Sequence, residues 1–403
     1  MSAVTSDAVL VLNIGSSSIK FAFHPTEPGT KALAAGGIDA IGHTPALRLR
    51  SSDGAGRREP LASDLPKDHA SLTDWLLRRL PDLCGIGTPA AIGHRVVHGG
   101  ADFARPIRVD ATVLERLAAL IPLAPGHQPH NLAGIRAAGR LWPEVPQVAC
   151  FDTAFHRSQP RLAQLFALPR ELADEGILRY GFHGLSYDHV ARVLPDLAGR
   201  RADGRVVVAH LGHGASMCAM HERRSIATSM GFTALDGLVM GKRCGELDPG
   251  VVLHLLRDRG MSLDQVEDLL TRRSGLLGVS GGISDDMRDL LVSDDPRAAE
   301  AVDLFCYRAV RRIGSLAAVL GGLDVLVFTG GIGEHAAVIR KRIVDGTAWL
   351  GANLDERANE ANSTHIHAAG SAIAIHVVKA DEEGVIARET LDVLRGASER
   401  PPL

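Results

Sequence analysis

The amino-acid sequence predicts an α/β protein that is built from a duplicated unit. Short apolar runs alternate with helical patterns along most of the 403 residues, which is typical of helices that cover a sheet. The runs 9–12 and 206–209 are each followed by a polar residue, an apolar residue and a turn of small residues. These two segments lie about half a chain length apart. At roughly 100–200 residues per domain, the chain length fits two such units.

The individual elements follow from the spacing of apolar residues. Continuous apolar runs of strand length predict buried strands at 9–12, 148–151, 206–209 and 325–329. The segment 26–60 is richer in glycine, proline and polar residues, so we expect strands and loops at one edge of a sheet there. Apolar residues that recur at helical spacing predict helices at 111–121, 189–194, 264–270, 297–320 and 336–344.

The composition excludes several classes of protein. With 44 basic and 47 acidic residues the formal net charge is −3, which argues against a strongly basic nucleic-acid binder. The hydrophobic fraction of 45% and the charged fraction of 23% are ordinary for a globular protein, so the chain is not mainly disordered. No apolar run approaches the ~20 residues that a membrane-spanning helix needs.

Two further observations concern the cellular compartment. The N-terminus lacks the basic region and the apolar stretch of a signal peptide. The five cysteines are scattered and include no Cys-x-x-Cys pair. We therefore expect a cytoplasmic protein with reduced thiols, and neither a membrane nor a nucleic acid as partner.

Three turns of small residues follow predicted strands, at 15–18, 212–216 and 330–334. Such turns let backbone N–H groups approach phosphate oxygens closely. None has the spacing of a Walker A loop or of the G-x-G-x-x-G dinucleotide motif, and each alone could be a structural connection. Together, and with Lys20 just beyond the first turn, they favour phosphate binding.

Arginines and histidines in glycine-framed segments form a second signal. Arg95 lies in 93–100 between two histidines, His183 lies in 181–184, and Arg243 lies in 240–248. The planar guanidinium group suits carboxylates and phosphates, although a single arginine is more often part of a surface ion pair.

The histidines lack the spacing of a metal site, so acidic residues are the better metal candidates. Oxygen ligands suit Mg²⁺. Asp152 follows a predicted strand directly, and Glu382 is adjacent to Glu383.

Longer motifs carry a specific resemblance. The chain resembles the acetate kinase family of the acetate and sugar kinase/Hsp70/actin superfamily, and the matching motifs cover nearly its whole length in family order. They are VLNIGSSSIK (11–20), GHRVVHGG (93–100), FDTAFH (151–156), RYGFHG (179–184), HLGHGAS (210–216), TSMGFTALDGLVMGKRCGELDPG (228–250), SGLLGVSGGISDDMRDL (274–290), VFTGGIGEH (327–335) and DEEGVIAR (381–388).

The resemblance implies a fold and a reaction. The fold is a duplicated RNase H-like (actin-like ATPase) fold, with the nucleotide in a cleft between two lobes. One lobe comprises 1–152 and 386–403, and the other comprises 153–385 and carries the contacts of a homodimer. The reaction is the reversible, Mg²⁺-dependent in-line transfer of the γ-phosphoryl group of ATP to acetate, which gives acetyl phosphate and ADP; Mn²⁺ is an alternative metal.

The resemblance also implies a role for individual residues. For catalysis these are Asp152, His183 and Arg243, and for binding of the substrate they are Arg95, Val97, Phe182 and His127. The metal ligands are Asn13 and Glu382. The terminal phosphates meet Ser16, Ser18 and Lys20, and a second phosphate loop comprises His210, Leu211, Gly212, His213 and Gly214. The adenosine is surrounded by Asp286, Met287, Arg288, Gly331, Ile332, Gly333, Glu334 and His335.

Simple chemistry agrees with these roles. Acetate is already ionised at neutral pH, because carboxyl groups titrate near ~4. A strong general base is therefore unnecessary, and we expect Asp152 to order Mg²⁺ or water. The harder task is to bring one anion to another, which cationic groups make possible.

Some positions depart from the family pattern. His213 and His335 stand where the family has asparagine. Gly126 and Ala234 stand where it has leucine and proline in the pocket for the acetate methyl group, so the pocket should be larger and accept propionate. Two alternatives remain open: a propionate or butyrate kinase of the same fold, and a non-catalytic nucleotide-binding module of the actin/Hsp70 type.

Overall fold

The computed structural model describes residues 7–396 except 16–17, 28–30, 43, 52–55, 63–64 and 66–67. The chain forms two compact units. Unit 1 comprises the residues up to Phe155 and those from Asp381 onward, and unit 2 comprises 156–380. Glu382 therefore belongs to unit 1.

The described residues form strands and helices in alternation. The strands are β1 (Ala8–Ile14), β2 (Ile19–Pro25), β3 (Ala34–Asp39), β4 (Ala46–Ser51), β5 (Gly56–Pro60), β6 (Ala91–Val96), β7 (Ile107–Arg108), β8 (Gln147–Phe151), β9 (Val206–Leu211), β10 (Ala215–His221), β11 (Arg224–Thr228), β12 (Val325–Thr329) and β13 (Ala374–Val377). The helices are α1 (His69–Cys84), α2 (Ala111–Ala119), α3 (Gln128–Leu141), α4 (Arg161–Gln164), α5 (Arg170–Asp174), α6 (Gly184–Ala198), α7 (Pro249–Arg257), α8 (Leu263–Arg272), α9 (Gly275–Val279), α10 (Met287–Leu291), α11 (Pro296–Leu320), α12 (Gly330–His335), α13 (Ala337–Gly346), α14 (Glu356–Glu360) and α15 (Glu382–Leu394).

Unit 1 is built on a sheet with the strand order β5-β4-β3-β2-β1-β6-β8-β7. Strand β1 pairs antiparallel with β2 and parallel with β6, and β6 pairs parallel with β8. The almost continuous apolar sequence of β1 suits a strand that is covered on both faces. Leu72, Leu76 and Leu80 of α1 pack into its core at helical spacing. Helix α15 also packs on β6, where a Cβ at Gly93 would lie 2.7 Å from Ile386 Cγ2.

Unit 2 repeats this arrangement with the strand order β11-β10-β9-β12-β13. Strand β9 pairs antiparallel with β10 and parallel with β12, and β12 pairs parallel with β13. The pairing matches that of β3-β2-β1-β6-β8 strand for strand, so β9 corresponds to β1. The structure thus confirms the predicted α/β class and the duplicated unit. It also makes the turns after Ile14 and Leu211 equivalent.

Most predicted elements are found with small shifts at their ends, whereas the helix predicted at 189–194 is longer at both ends and forms α6. The segment 26–60 contributes strands β3 to β5 at one edge of the first sheet. One prediction was wrong. Residues 330–334 do not form an open turn but begin the short helix α12. Gly330 adopts φ +77°, and a Cβ there would lie 2.8 Å from Leu211 O. Because glycine has no Cβ, the chain can adopt this conformation at Gly330 and enter a helix directly after β12.

None of the five cysteines, all of which the structure describes, forms a disulfide. Burial raises the pKa of Cys218 to about 12 and that of Cys306 to about 11, so these thiols are poor nucleophiles. Within the described part of the chain, no helix combines the length and the apolar character that crossing a membrane requires.

We expect the protein to lose stability in mild acid because several histidines, among them His94 and His156, are buried in the neutral form. Burial lowers the pKa of His94 and of His156 to about 4 each, against an ordinary value of 6.5. Below pH 6.5 these histidines bind protons in the unfolded chain, whereas in the folded protein they do so only near pH 4. The free energy of unfolding therefore falls as the pH falls across this window. The expected loss is on the order of a few kcal/mol, measured as the urea midpoint at about pH 7.5 and about pH 5.

The variant His94→Gln tests the cause, because glutamine can keep a hydrogen bond to Gln147 but does not titrate. It should show a smaller change of midpoint with pH than the wild type. The exposed His221→Gln variant is the control and should behave as the wild type. A wild-type midpoint that is constant over this range would contradict the prediction.

Candidate active site

Three polar side chains meet at the carboxyl ends of neighbouring parallel strands in unit 1. Asn13 lies near the end of β1, Arg95 near the end of β6, and Asp152 directly after β8. Arg95 Nη1 donates to Asn13 Oδ1 at 3.3 Å. Its Nε and Nη2 donate to Asp152 Oδ1 and Oδ2 at 3.0 and 2.6 Å. The strand ends therefore assemble a cluster from residues far apart in the chain, at the edge where α/β sheets bind ligands.

Burial and the opposite charges of this cluster act against each other. The Asp152 side chain is 2% exposed and that of Arg95 is 21% exposed. Burial raises the pKa of Asp152, although the charge and the hydrogen bonds of Arg95 act in the opposite direction. The pKa of Arg95 is raised, because the Asp152 and Glu382 carboxylates outweigh the effect of burial.

The same cluster offers the donor set of a magnesium site. Asn13 supplies an amide oxygen, and Asp152 and Glu382 supply carboxylates close enough to influence one another electrostatically. Among the described residues, no three histidine, cysteine or acidic side chains already converge on one point. Mg²⁺ prefers oxygen ligands and takes one or two carboxylates together with water and substrate phosphates. The residues thus fit the metal in donor type.

Lys20 lies on the same face as this cluster. It stands directly opposite Asn13 in the β1–β2 register, and opposed residues of antiparallel strands share a face. Burial raises the pKa of the Glu383 carboxyl, and Lys20 acts against this effect. The exposed ammonium group therefore lies near both Asn13 and α15. Ser18 is half-buried in the turn, and Ser16 lies outside the described residues.

The predicted acyl-binding residues of unit 1 lie beside the strand ends. Val97 follows β6 and is buried, and its N–H donates to Asn131 Oδ1 at 3.0 Å. His127 is the exposed N-cap of α3, and its charge would lower the pKa of Asp152. A Cβ at the exposed Gly126 would meet no atom within 4 Å. There is open space at this position.

Unit 2 holds a second cluster around the turn that follows β9. His183 precedes α6 with φ +60°, a conformation that is uncommon for a residue with a side chain. Its ring stacks on that of His210, with centroids 4.3 Å apart, and its Nδ1 lies 2.8 Å from Ser216 Oγ. Ser186 Oγ lies 2.8 Å from Nδ1 of His210. The buried Phe182 accepts a hydrogen bond at its carbonyl from His156 Nε2 at 3.0 Å.

Gly214 brings the functional groups of this cluster to one point. A Cβ at Gly214 would lie 2.7 Å from Arg243 Nη2 and 3.2 Å from His183 Nε2. Both side chains therefore reach the bare backbone of the turn. Arg243 is held by a hydrogen bond from Nη1 to Ala234 O at 2.6 Å. A guanidinium group and an imidazole beside a glycine turn form a suitable place for a phosphoryl group.

The loops after β9 and β12 lie side by side. Gly212 N donates to Gly214 O at 3.1 Å, and a Cβ at Gly212 would lie 3.9 Å from Gly331 N. Leu211 is fully buried. His213 is exposed and hydrogen bonds through Nε2 to Asp285 Oδ2 at 2.8 Å. Burial raises the pKa of Asp285, but the His213 hydrogen bond and Lys242 outweigh it, and the net shift is downward.

The residues expected around adenosine fall on two short helices. Asp286 caps α10 and pairs with the exposed Arg288, whereas Met287 between them is buried. On α12, Glu334 accepts a hydrogen bond from Ala380 N at 3.0 Å. The other residues of this set on α12 range from buried to exposed: Gly331, Ile332, Gly333 and His335.

The sequence analysis missed residues that hydrogen bond to the backbone of the proposed ligand-binding segments. Arg340 is fully buried, and its guanidinium group donates to Gly333 O and Glu334 O at 2.9 Å each. It also donates to Asn359 and Asn362. Burial lowers its pKa to about 10. An arginine at a helical position gives no signal in the sequence that distinguishes this role from a surface one.

Comparison with known proteins gives a consistent result. The sequence profile of the acetokinase family matches residues 8–388. The chain is 56% identical to an acetate kinase of Rhodopseudomonas palustris, over 95% of this chain and 97% of that one. It is 50% identical to an acetate kinase of Rhizobium meliloti, over 96% and 98% of the two chains. Among solved structures, acetate kinase of Porphyromonas gingivalis matches with a TM-score of 0.87 and 34% identity, over 96% of this chain and 100% of that one. A propionate kinase from Francisella tularensis matches with a TM-score of 0.87 and 36% identity, with the same coverage.

Proposed function

This chain belongs to the acetokinase family, and we propose that the two clusters described above carry out its reaction, the reversible transfer of the γ-phosphoryl group of ATP to acetate. Its fold is the duplicated RNase H-like fold of the actin-like ATPases. The observation that carries the proposal is the approach of Arg243 and His183 to the bare backbone of Gly214. An arginine and a histidine at such a turn can stabilise a transferring phosphoryl group.

The two arginines compensate negative charge on the reactants. Arg95 and Arg243 neutralise the acetate carboxylate and the transferring phosphoryl group, which would otherwise repel each other. Because acetate is ionised at neutral pH, no residue has to remove a proton from it. Asp152 orients Arg95 through its two-oxygen contact and completes the oxygen donor set with Asn13 and Glu382. Bound there, Mg²⁺ would neutralise negative charge on the phosphates.

His183 stabilises the developing charge on the phosphoryl group. The contact of Nδ1 with Ser216 orients the ring, so that Nε2 faces Gly214. A donor held in this way needs no reorientation during the reaction. The backbone of 210–214 and the Gly331–His335 segment contact the nucleotide, together with Ser16, Ser18, Lys20 and the Asp286–Arg288 segment.

A direct test measures acyl phosphate as its hydroxamate with MgATP and each of acetate, propionate and butyrate. We expect acyl phosphate with acetate. Binding of MgATP without acyl phosphate from any of the three acids would refute the proposal.

We also propose a pocket that accepts propionate. A Cβ at Gly126 would meet no atom within 4 Å, so this position leaves room that a leucine would fill. A methylene in such a pocket is worth about 1–3 kcal/mol. We therefore expect kcat/KM for propionate to be close to that for acetate, and the variant Gly126→Leu to lower the propionate value about tenfold relative to acetate.

Steady-state kinetics with both acids checks this expectation. Gly139→Ala on α3 is the control, and it should leave the ratio of kcat/KM for propionate to that for acetate unchanged. A steep fall from acetate to propionate in the wild type would reject the larger pocket.

Exposed apolar residues support a homodimer, and the state of the cysteines supports a location in the cytoplasm. Helix α7 buries none of its residues, and the apolar Val251 and Leu253 on it are exposed, as is Tyr307 on α11. Such apolar surface is typical of a protein–protein contact. Cysteines that form no disulfide are typical of a reducing compartment.

A further inference from the structure

Two successive carbonyl groups at the exit of β1 are bound by side chains from two helices of unit 1. Ile14 O accepts a hydrogen bond from Asn131 Nδ2 of α3 at 2.7 Å. Gly15 O lies 2.6 Å from Nε2 of His69, the first residue of α1. A carbonyl oxygen can only accept, so Nε2 of His69 carries the proton. The backbone that leads from Asn13 into the first small-residue turn is therefore held from outside the turn.

The turn itself is closed by Gly15. Its N–H donates to Ser18 O at 2.9 Å, while its carbonyl accepts from His69. Both backbone polar groups of Gly15 are thus used. The chain is therefore held at Gly15 through its carbonyl and through its N–H, at the point where it enters the turn. In a phosphate-binding turn, the path of the backbone determines whether its N–H groups meet the phosphate oxygens.

His69 is held firmly enough to act in this way. The Asp68 side chain caps α1 by accepting from Ser71 N at 2.9 Å, which places the first helical residue. The ring of His130 on α3 packs against that of His69, with centroids 4.5 Å apart. Helix α3 in turn lies close to β1, since a Cβ at Gly134 would lie 2.3 Å from Ile14 Cδ1.

We propose that His69 is a positioning residue for nucleotide binding, which sets the first phosphate turn through its hydrogen bond to the Gly15 carbonyl. The proposal rests on the proposed function, which places nucleotide phosphates at this turn. His69 does not contact the substrate. It acts through Gly15, and its loss weakens the binding of phosphates more than it slows the chemical step.

The test measures the equilibrium dissociation constant for MgADP by isothermal titration calorimetry. His69→Ala should raise this constant by about tenfold, the effect of losing one hydrogen bond to the half-buried Gly15 carbonyl. His69→Gln should restore most of the affinity, because its amide nitrogen reaches as far as Nε2. His69→Asn carries the same amide on a shorter side chain and should bind as weakly as His69→Ala. His221→Ala, at the exposed end of β10, is the matched control and should bind as the wild type.

The comparison of the two amide variants keeps the proposal testable even if His69→Ala unfolds. Equal affinity of His69→Gln and His69→Asn would overturn it, as would an affinity of His69→Ala within twofold of the wild type. In steady-state assays, KM for ATP should rise by a larger factor than kcat falls. Because MgADP binding needs no turnover, a wild type that binds MgADP but makes no acyl phosphate would refute the proposed function without deciding the role of His69.

Discussion

Replacement of Arg243 by alanine will lower kcat for acyl phosphate formation on the order of 10³-fold or more, by analogy with the loss of an arginine finger. The guanidinium group reaches Gly214 in the second phosphate turn, and its Nη1 is held by Ala234 O at 2.6 Å. No other group of that cluster offers a planar set of donors for a phosphoryl group and a carboxylate. The hydroxamate assay measures the effect.

The fold should survive this change, because Arg243 is only half-buried and water can reach the carbonyl that it leaves. The melting temperature serves as the control. Arg243→Lys separates charge from shape: lysine keeps the charge but loses the fork, so most of the activity should still be lost. Near-normal turnover in Arg243→Ala would show that its proposed role is wrong.

The second large effect concerns the ion pair of Arg95 and Asp152. Arg95→Met will leave the Asp152 carboxylate, only 2% exposed, without its guanidinium partner. Removal of one member of a buried pair costs about 3–5 kcal/mol, and we expect a loss of that size in the free energy of unfolding by urea. Turnover should fall on the order of 10³-fold as well, since the same guanidinium group is the proposed ligand of the acetate carboxylate.

The pH dependence of this loss follows from the raised pKa of Asp152, which burial causes and Arg95 opposes. Without Arg95 the pKa of Asp152 rises further, so the folded variant binds a proton that the unfolded chain has already released. The difference in stability from the wild type is therefore largest at neutral pH and shrinks as the pH falls.

A double variant distinguishes the two effects. Arg95→Met combined with Asp152→Leu removes both charges, and it should recover much of the stability without recovering activity. If the double variant is no more stable than Arg95→Met, an unpaired carboxylate is not the cause of the loss. His94→Gln, one position earlier on β6, controls for disturbance of the strand.

How far the sequence predicts the site depends on the kind of residue. Arg95, His183 and Arg243 were identified because they lie in glycine-framed segments that resemble a family pattern. Arg340 and Asn131 were missed, although they hold backbone atoms of two proposed ligand-binding segments. Both sit within ordinary helical sequence, where nothing local indicates that the side chain points at a loop. Their roles appear only when helix and loop are seen together.

The sequence alone determined the α/β class, the position of several central strands and of the longer helices, and the duplication of the unit. These features depend on the spacing of apolar residues over a few turns or strand positions, which is a local property. The tertiary structure decided which polar groups meet. The pairing of Arg95 with Asp152, the contact of His69 with Gly15 and the approach of Arg243 to Gly214 each join segments that are far apart in the chain. Such contacts depend on strand order and register, which hydrophobic spacing leaves open because many arrangements bury the same apolar residues.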